Sequence, residues 1–273
     1  MKDPLEKSSA SAGSRYTVPA LARGLEILSY FTHEKRVLSG AQLAKMAGLP
    51  RASVFRMLQT LEYAGYLDKV GEQGTHPSYR LGVAVLRLGF EFLSSMELTE
   101  QGRPVIESLS DACGHSSHIV VRDGRDVVFV AKALGRFATF HAIHVGARLP
   151  AHATVLGRVL MADLSLQDIT QLYANHAMKS FTASTPVTPQ ALKTAIEEAA
   201  KEGIAVSQGG FESGISTIAA PVFNGEKQVC AAISVTVLSS KIPEDKLPTL
   251  LMQVRESAHT LTWRLQHSSG VRA

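Results

Sequence analysis

The stretch that most constrains this chain is Ser39-Gly-Ala-Gln-Leu-Ala-Lys-Met-Ala-Gly-Leu-Pro-Arg-Ala-Ser-Val-Phe-Arg-Met-Leu-Gln-Thr-Leu-Glu62. Ser39 is a favourable helix N-cap, Leu43, Ala44 and Ala47 form one apolar stripe, and Gly48 supplies a left-handed stop. Pro50 opens a second helix where its missing N–H costs nothing, and Val54, Met57, Leu58 and Leu61 face inward at i, i+3, i+4 and i+7. Two short helices therefore meet at a tight turn. The second leaves Arg51, Ala52, Ser53, Phe55, Arg56 and Gln59 pointing outward. Such a face suits a DNA major groove: Ser53 and Arg51, with Lys45 nearby, hold phosphates, while Arg56 and Gln59 reach base edges.

A helical hairpin inside a larger core has the same periodicity, so the flanking segments decide between the two readings. After Gly65 come two strand-like runs, Tyr66–Val70 and Tyr79–Leu81, joined by the polar residues 71–78. They read as a β-hairpin wing. Ahead of the pair, Leu21, Leu25, Ile27, Leu28 and Phe31 mark an amphipathic helix that covers its apolar side. Residues 18–82 are thus expected to form a winged helix-turn-helix that binds double-stranded DNA.

Charge placement agrees. Residues 1–81 carry 11 Lys and Arg against 7 Asp and Glu, whereas residues 82–273 carry 17 of each, so the whole excess of +4 lies on the expected DNA reader. With 273 residues, 45% of them hydrophobic, the chain is large enough for two cores. Cys113 and Cys230 are too few for a disulfide scaffold, which points to a cytoplasmic protein. No apolar run is long enough for a membrane span, and Lys7–Ser14 lacks the hydrophobic centre of a signal peptide, so residues 1–17 read as a disordered tail.

From Val83 to Leu98 apolar residues cover most of a helix's circumference. Two readings are open: a linker helix that pairs with its copy in a second subunit, or an internal helix buried by its own chain. A third domain segment, residues 99–267, follows. A helix over Thr99–Cys113 precedes strands at Ser117–Val121, Val127–Ala133 and Phe137–Val145. Helices near Ala153–Met161, Ser165–Ala174 and Thr188–Glu202 come next, then strands at Ile204–Ser207, Ser216–Val222 and Val229–Val237, and a final helix over Glu244–Gln266. The order βββ, ααα, βββ, α predicts an α+β domain with an antiparallel or mixed sheet.

The sequence-local signatures of hydrolases, P-loop and dinucleotide-binding enzymes and zinc proteases are missing. His115 and His118, like His141 and His144, have metal-like spacing, but strand residues three apart point to opposite faces. His118 and His141 on neighbouring strands, with Cys113 nearby, are the remaining combination. Histidines without a metal are far commoner, so no metal or other cofactor is expected. A ligand pocket has better support. In Ala231–Val237, Ile233, Val235 and Val237 share one strand face, leaving Ala232, Ser234 and Thr236 on the other, where they either line a polar cavity or meet water. The helix after Leu149–Ala153 offers free N–H groups around Thr154 to Leu156, which suit a carboxylate.

On four stretches together the chain closely resembles the IclR (isocitrate lyase regulator) family of bacterial transcriptional regulators: Gly48–Leu58, Tyr79–Gly82, Leu149–Leu160 and Gly214–Val222. The resemblance runs from Val18 to about Gln266. It implies a winged helix, a linker helix that helps dimerise, and a C-terminal domain of GAF or profilin type that binds a small, often acidic effector, in homodimers or homotetramers that repress or activate. By motif it places effector contacts at the backbone of Val155 and Leu156 and at the side chains of Ser207, Thr217, Ser234 and Thr236. Members that sense very small keto acids carry Asp and Cys where this chain has Ser207 and Thr217. Val145–Pro150 and Gly157–Leu160 are similar to the branch that controls aromatic catabolism. The expected function is a ligand-responsive regulator of a catabolic operon; the alternatives are an enzyme fused to a DNA-binding domain and a constitutive DNA binder without effector.

Overall fold

Ser39 caps a helix through a reciprocal pair of bonds. Its hydroxyl accepts the Gln42 N–H at 3.3 Å, while the Ser39 N–H donates to Gln42 Oε1 at 2.8 Å. These two bonds satisfy groups that a helix N-terminus leaves free, and Gly48, at φ 62°, ends the same helix. The computed structural model describes residues 17–32, 34–71, 77–137 and 143–268. In the first unit, α1 (Pro19–Ser29), α2 (Gly40–Ala47) and α3 (Arg51–Tyr63) surround Ile27, Leu43, Val54, Leu58 and Tyr79. A three-stranded sheet completes it. β1 (Leu38–Ser39) and β2 (Leu67–Val70) flank β3 (Ser78–Leu81), with Leu67 opposite Leu81 and Leu38 opposite Tyr79.

Three details differ from expectation. Pro50 is the residue before α3 rather than its first residue. Ile27 and Phe31 are buried as predicted, but Leu21 and Leu25 are exposed, because Gly24, one turn before Leu28, is the residue that α1 buries. β1 was not foreseen, since two residues carry no periodicity. Residues 1–16 and the wing segment 72–76 lie outside the described residues.

The chain divides into two compact units at the Phe92–Leu93 bond, inside α4 (Ala84–Ser95). The predicted helix over 83–98 breaks at Met96, where Thr99 Oγ1 donates to the carbonyls of Leu93 and Met96 and α5 (Glu97–Cys113) begins. α4 buries none of its residues: Leu86 is 70% and Phe90 64% exposed. Burial of this helix by its own chain is thereby contradicted.

The second unit continues through β4 (Ser116–Asp123), β5 (Asp126–Ala133), β6 (Arg148–Pro150), a 3-10 turn (Ala151–Ala153), α6 (Val155–Leu160), α7 (Leu166–Leu172), α8 (Pro189–Glu202), β7 (Ala205–Gln208), β8 (Ser216–Phe223), β9 (Val229–Val237) and α9 (Leu247–Ser268). Its sheet has the order β6-β5-β4-β9-β8-β7, and every neighbouring pair is antiparallel. α5 and α9 cover one face over Ile106, Ile119, Ile218, Ile233 and Leu261. α6 and α8 cover the other over Phe129, Val155, Leu156, Ala219 and Ala232. The fold is therefore α+β, with the sheet buried on both faces.

The predicted strand Phe137–Val145 is corrected. Residues 138–142 lie outside the described residues, and Phe137 and residues 143–145 are not in a strand. Gly146, at φ 89°, turns the chain and donates to the Phe129 carbonyl at 2.7 Å, and the strand that pairs with β5 begins at Arg148. Among the described residues no helix is long and apolar enough to cross a membrane.

α6 starts hard against the 3-10 turn: a Cβ on Gly157 would stand 2.0 Å from the Ala151 carbonyl oxygen. Gly157→Ala must displace backbone rather than a flexible side chain. Urea unfolding of the second unit should show a loss of about 1–3 kcal/mol, and an unchanged midpoint would show that this contact yields freely.

Candidate functional site

Two surfaces gather the predicted site residues, one in each unit. On α3, Val54 and Leu58 point into the core, which turns Arg51, Phe55, Arg56 and Gln59 to solvent and leaves Ser53 half-buried. Lys45 is exposed on α2. At 100° per residue, Ala52, Arg56, Gln59 and Tyr63 form the line farthest from the core. Arg51 and Phe55 flank it toward the wing, in a groove with Ser39, Pro77 and Tyr79. Ser53 and Arg56 border a second groove against Pro19, Arg23 and Gly24 of α1. Tyr63, 95% exposed, was missed by sequence reasoning. Its signal was present, since it stands four residues after Gln59 on the same line.

In the second unit a cavity of about 150 Å³ lies between the sheet and α6. Its wall includes five of the six predicted effector residues: Val155, Leu156, Ser207, Thr217 and Thr236. Strand register brings the hydroxyls together. Ser207 pairs with Thr217, Thr217 with Thr236, and Thr236 with Ser116, so one rung across β7, β8, β9 and β4 carries four hydroxyl side chains on one face. Above that rung, Thr154 caps α6 by accepting the Gly157 N–H at 3.2 Å. The N–H groups of Val155 and Leu156 come too early in the helix to have an acceptor within it. Among the described residues no Lys or Arg belongs to the wall, and the one carboxylate there, Glu212, is exposed. An anion here is met by N–H and O–H dipoles rather than by a countercharge.

Ser234, the sixth predicted residue, is 1% exposed and sits on the next rung. That rung runs Ala205, Ala219, Ser234, His118, Lys132. Its face is covered by the α6 layer, so the reading in which this side of β9 meets water does not hold for Ala232 or Ser234. The Ser234 hydroxyl and His118 Nδ1 are buried with no hydrogen-bond partner among the described residues. The His118 ring meets Phe129, a cavity residue, edge-on at 5.3 Å. Burial, with a smaller contribution from the Lys132 ammonium, pushes the imidazole down to about 3. Phe211 and Ile215, also unforeseen, come from the loop between β7 and β8. The metal combination gains no geometry: His141 lies outside the described residues, and among those described no group of three His, Cys, Asp or Glu side chains is placed to hold an ion.

Residues 90–263 match the family described as bacterial transcriptional regulator IclR C-terminal, and residues 20–71 match the IclR helix-turn-helix domain. The chain is 29% identical over 245 residues to the HTH-type transcriptional regulator XynR of Escherichia coli, covering 90% of this chain and 96% of that one. It is 30% identical to the Pca regulon regulatory protein of Pseudomonas putida, covering 94% and 89%. Among solved structures, a transcriptional regulator of a Rhodococcus species superposes with a TM-score of 0.76 at 31% identity over 91% of this chain and 98% of that one. An IclR homolog of Microbacterium hydrocarbonoxydans complexed with 4-hydroxybenzoate shares the fold, with a TM-score of 0.75 at 21% identity over 90% and 99%.

The state of His118 has a consequence for stability. Unfolded, the ring titrates near pH 6.5; folded, it stays neutral down to about 3. Between those values the unfolded chain binds one proton more at this position, so stability is present above about pH 6.5 and is lost as pH falls toward 3. The loss approaches about 1.4 kcal/mol per pH unit. From pH 7 to pH 5, wild type should therefore lose roughly 2 kcal/mol more than His118→Phe in urea unfolding of the second unit; equal losses would mean that the folded protein protonates this ring freely.

Proposed function

Because the chain belongs to the IclR family of bacterial transcriptional regulators, we propose that its first unit reads a double-stranded DNA operator with α3 and that the cavity of its second unit takes a small carboxylate effector. The observation that carries the effector reading is the convergence of the Ser207, Thr217 and Thr236 hydroxyls with the first N–H groups of α6 around one cavity. A carboxylate accepts from all of them, and a buried acceptor-rich group needs such donors to offset its lost hydration. Arg56 and Gln59 read base edges, while Arg51, Ser53 and Lys45 hold phosphates and Phe55 packs toward the wing side. Residues 18–82 act as the DNA-binding domain, 83–98 as the linker and 99–267 as the effector domain. The protein works in the cytoplasm and needs no cofactor. The regulated genes are those of a catabolic operon, a reading supported by the names of the Pca regulon relative and of the Microbacterium complex.

Assembly follows from α4. Leu86, Leu88 and Phe90 are exposed in the single chain, and burying such side chains stabilises by roughly 1.5–3 kcal/mol each. A second copy that covers them gives a homodimer, or a homotetramer built from dimers, and sets two readers at a fixed spacing.

Two experiments test these readings. Arg56→Ala should weaken operator binding by roughly 1–3 kcal/mol at fixed salt if the side chain reads a base, measured by fluorescence anisotropy on a selected operator; a folded variant with wild-type affinity removes Arg56 from the reading surface. Replacing Leu86 and Phe90 together with Glu should leave a monomer in sedimentation equilibrium with weak operator affinity. A wild-type protein that is itself monomeric at micromolar concentration would overturn the assembly.

A further inference from the structure

Two parts of the cavity wall are held in place by core packing. On α6 and its cap, Thr154, Val155 and Leu156 are buried, and Thr217 and Thr236 stand between buried neighbours, Ser216 and Ile218 on β8 and Val235 and Val237 on β9. The third part is different. Phe211, Glu212 and Ile215 come from the segment between β7 and β8, and none of residues 209–215 is buried. A piece of wall without core residues opens at a lower cost in free energy than the sheet or α6. Its two ends are built to turn. Gly209, at φ 67°, and Gly214, at φ 88°, hold left-handed conformations that favour glycine, and the Gly209 N–H donates to the Ile215 carbonyl at 3.0 Å, which closes the neck of the loop. Residues 210–213 thus form a flap between two glycine pivots.

The flap is fastened to a neighbouring turn. The Thr182 hydroxyl donates to the Gly210 carbonyl at 2.7 Å, and the Phe181 ring meets the Phe211 ring with 4.9 Å between centroids. That turn is itself anchored. The buried Thr185 hydroxyl accepts the N–H groups of Phe181 and Thr182 at 3.2 and 3.0 Å, and His152 Nε2 donates to the Lys179 carbonyl at 3.0 Å. His152 belongs to the 3-10 turn that leads into α6, so the fastening point is tied to the same element that begins the cavity wall. Neither Phe181 nor Thr182 is part of the wall; both act on the flap rather than on the contents of the cavity.

We propose that residues 209–214 are a gate that swings away from the cavity to let the effector enter and leave, and that Phe181 and Thr182 are its latch. The gate presupposes the reading of this cavity as the effector site. Its consequence is kinetic. The latch sets how often the cavity opens, not how well the closed cavity fits its ligand, so a weakened latch speeds entry and exit together and leaves the affinity nearly unchanged.

Opening can be read without knowing the effector. Thr217→Cys puts a thiol on the cavity wall, within reach of a small reagent only while the gate is open. Iodoacetamide labelling of the full chain, followed by peptide mass spectrometry, reads this thiol beside Cys113 and Cys230, which are half-buried outside the wall and report any general loosening. With the latch intact, the thiol at position 217 should react about tenfold or more slowly than free cysteine, since labelling tracks the population of the open form. Adding Phe181→Ala or Thr182→Val should raise that rate about fivefold or more while Cys113 and Cys230 stay within about twofold. Thr182→Val exchanges a hydroxyl for a methyl of similar size, so it keeps the test decisive should the Phe181 variant fail to fold. A thiol at 217 that reacts as fast as free cysteine with the latch intact, an unchanged rate in both latch variants, or equal acceleration at all three thiols overturns the gate. The same labelling separates the gate from the carboxylate reading: a latch-dependent rate that neither benzoate nor 4-hydroxybenzoate slows supports the gate and counts against the carboxylate.

Discussion

The register of β9 against β4 and β8 is the constraint on which the second unit depends. Side chains alternate along a strand, so the pairing that places Ile233 and Val235 over α5 and α9 also places Ala232, Ser234 and Thr236 under α6. A slip of one residue would exchange the two sets, burying hydroxyls among leucine and isoleucine and opening the apolar set to the cavity. The same register fixes the hydroxyl rung across four strands. Core and cavity are therefore two readings of one alternation, and sequence change on either face of β9 is felt by both.

Much of this was legible because it is periodic or local. The cap at Ser39 and the stop at Gly48 each depend on residues within one turn, and both stand where the sequence puts them. The alternation in β9 is equally local, and it separated Ile233 and Val235 from Ser234 and Thr236 correctly. What failed was non-local. Leu21 and Leu25 read as core because apolar spacing cannot say which side of a three-helix arrangement is left uncovered, and beside the predicted Ile27 α1 buries Gly24 instead. β6 was missed because three residues with an arginine, a leucine and a proline have no pattern of their own; β5 makes them a strand. Phe211 and Ile215 reach the cavity from a loop held by non-local bonds, among them the Gly209 N–H to the Ile215 carbonyl at 3.0 Å and the Thr182 hydroxyl to the Gly210 carbonyl at 2.7 Å. The place of His118 opposite Ser234 needed the β4–β9 register, which no single strand contains.

The two units work by different physics. The α3 surface carries its cations in water, where individual ion interactions are weak and salt-screened, and where affinity comes from several phosphate contacts acting together. The cavity has no cation among the described residues of its wall, so the proposed effector would be met by oriented dipoles in a water-poor space, where each hydrogen bond is stronger and each missing one more costly. Ionic strength should bear mainly on the first process and ligand shape on the second. The charge excess concentrated in residues 1–81 is the sequence-level mark of that division.

An effector that contacts only one rigid element would bind without consequence, since a ligand with equal affinity for two arrangements shifts neither. On the proposed reading the cavity avoids this, because its wall is assembled from parts that are not continuous with one another: the sheet, the first turn of α6 and the loop between β7 and β8. A carboxylate held by Val155 and Leu156 on one side and by Thr217 and Thr236 on the other fixes the distance between helix and sheet. Gly157 lets α6 start hard against the Ala151 backbone of the preceding 3-10 turn. The free energy available for switching is then the difference in these bonds between a closed and a slightly opened α6, and losing one or two charge-assisted hydrogen bonds, at about 1.5–3 kcal/mol each, is enough to supply the 1–3 kcal/mol of a typical allosteric coupling.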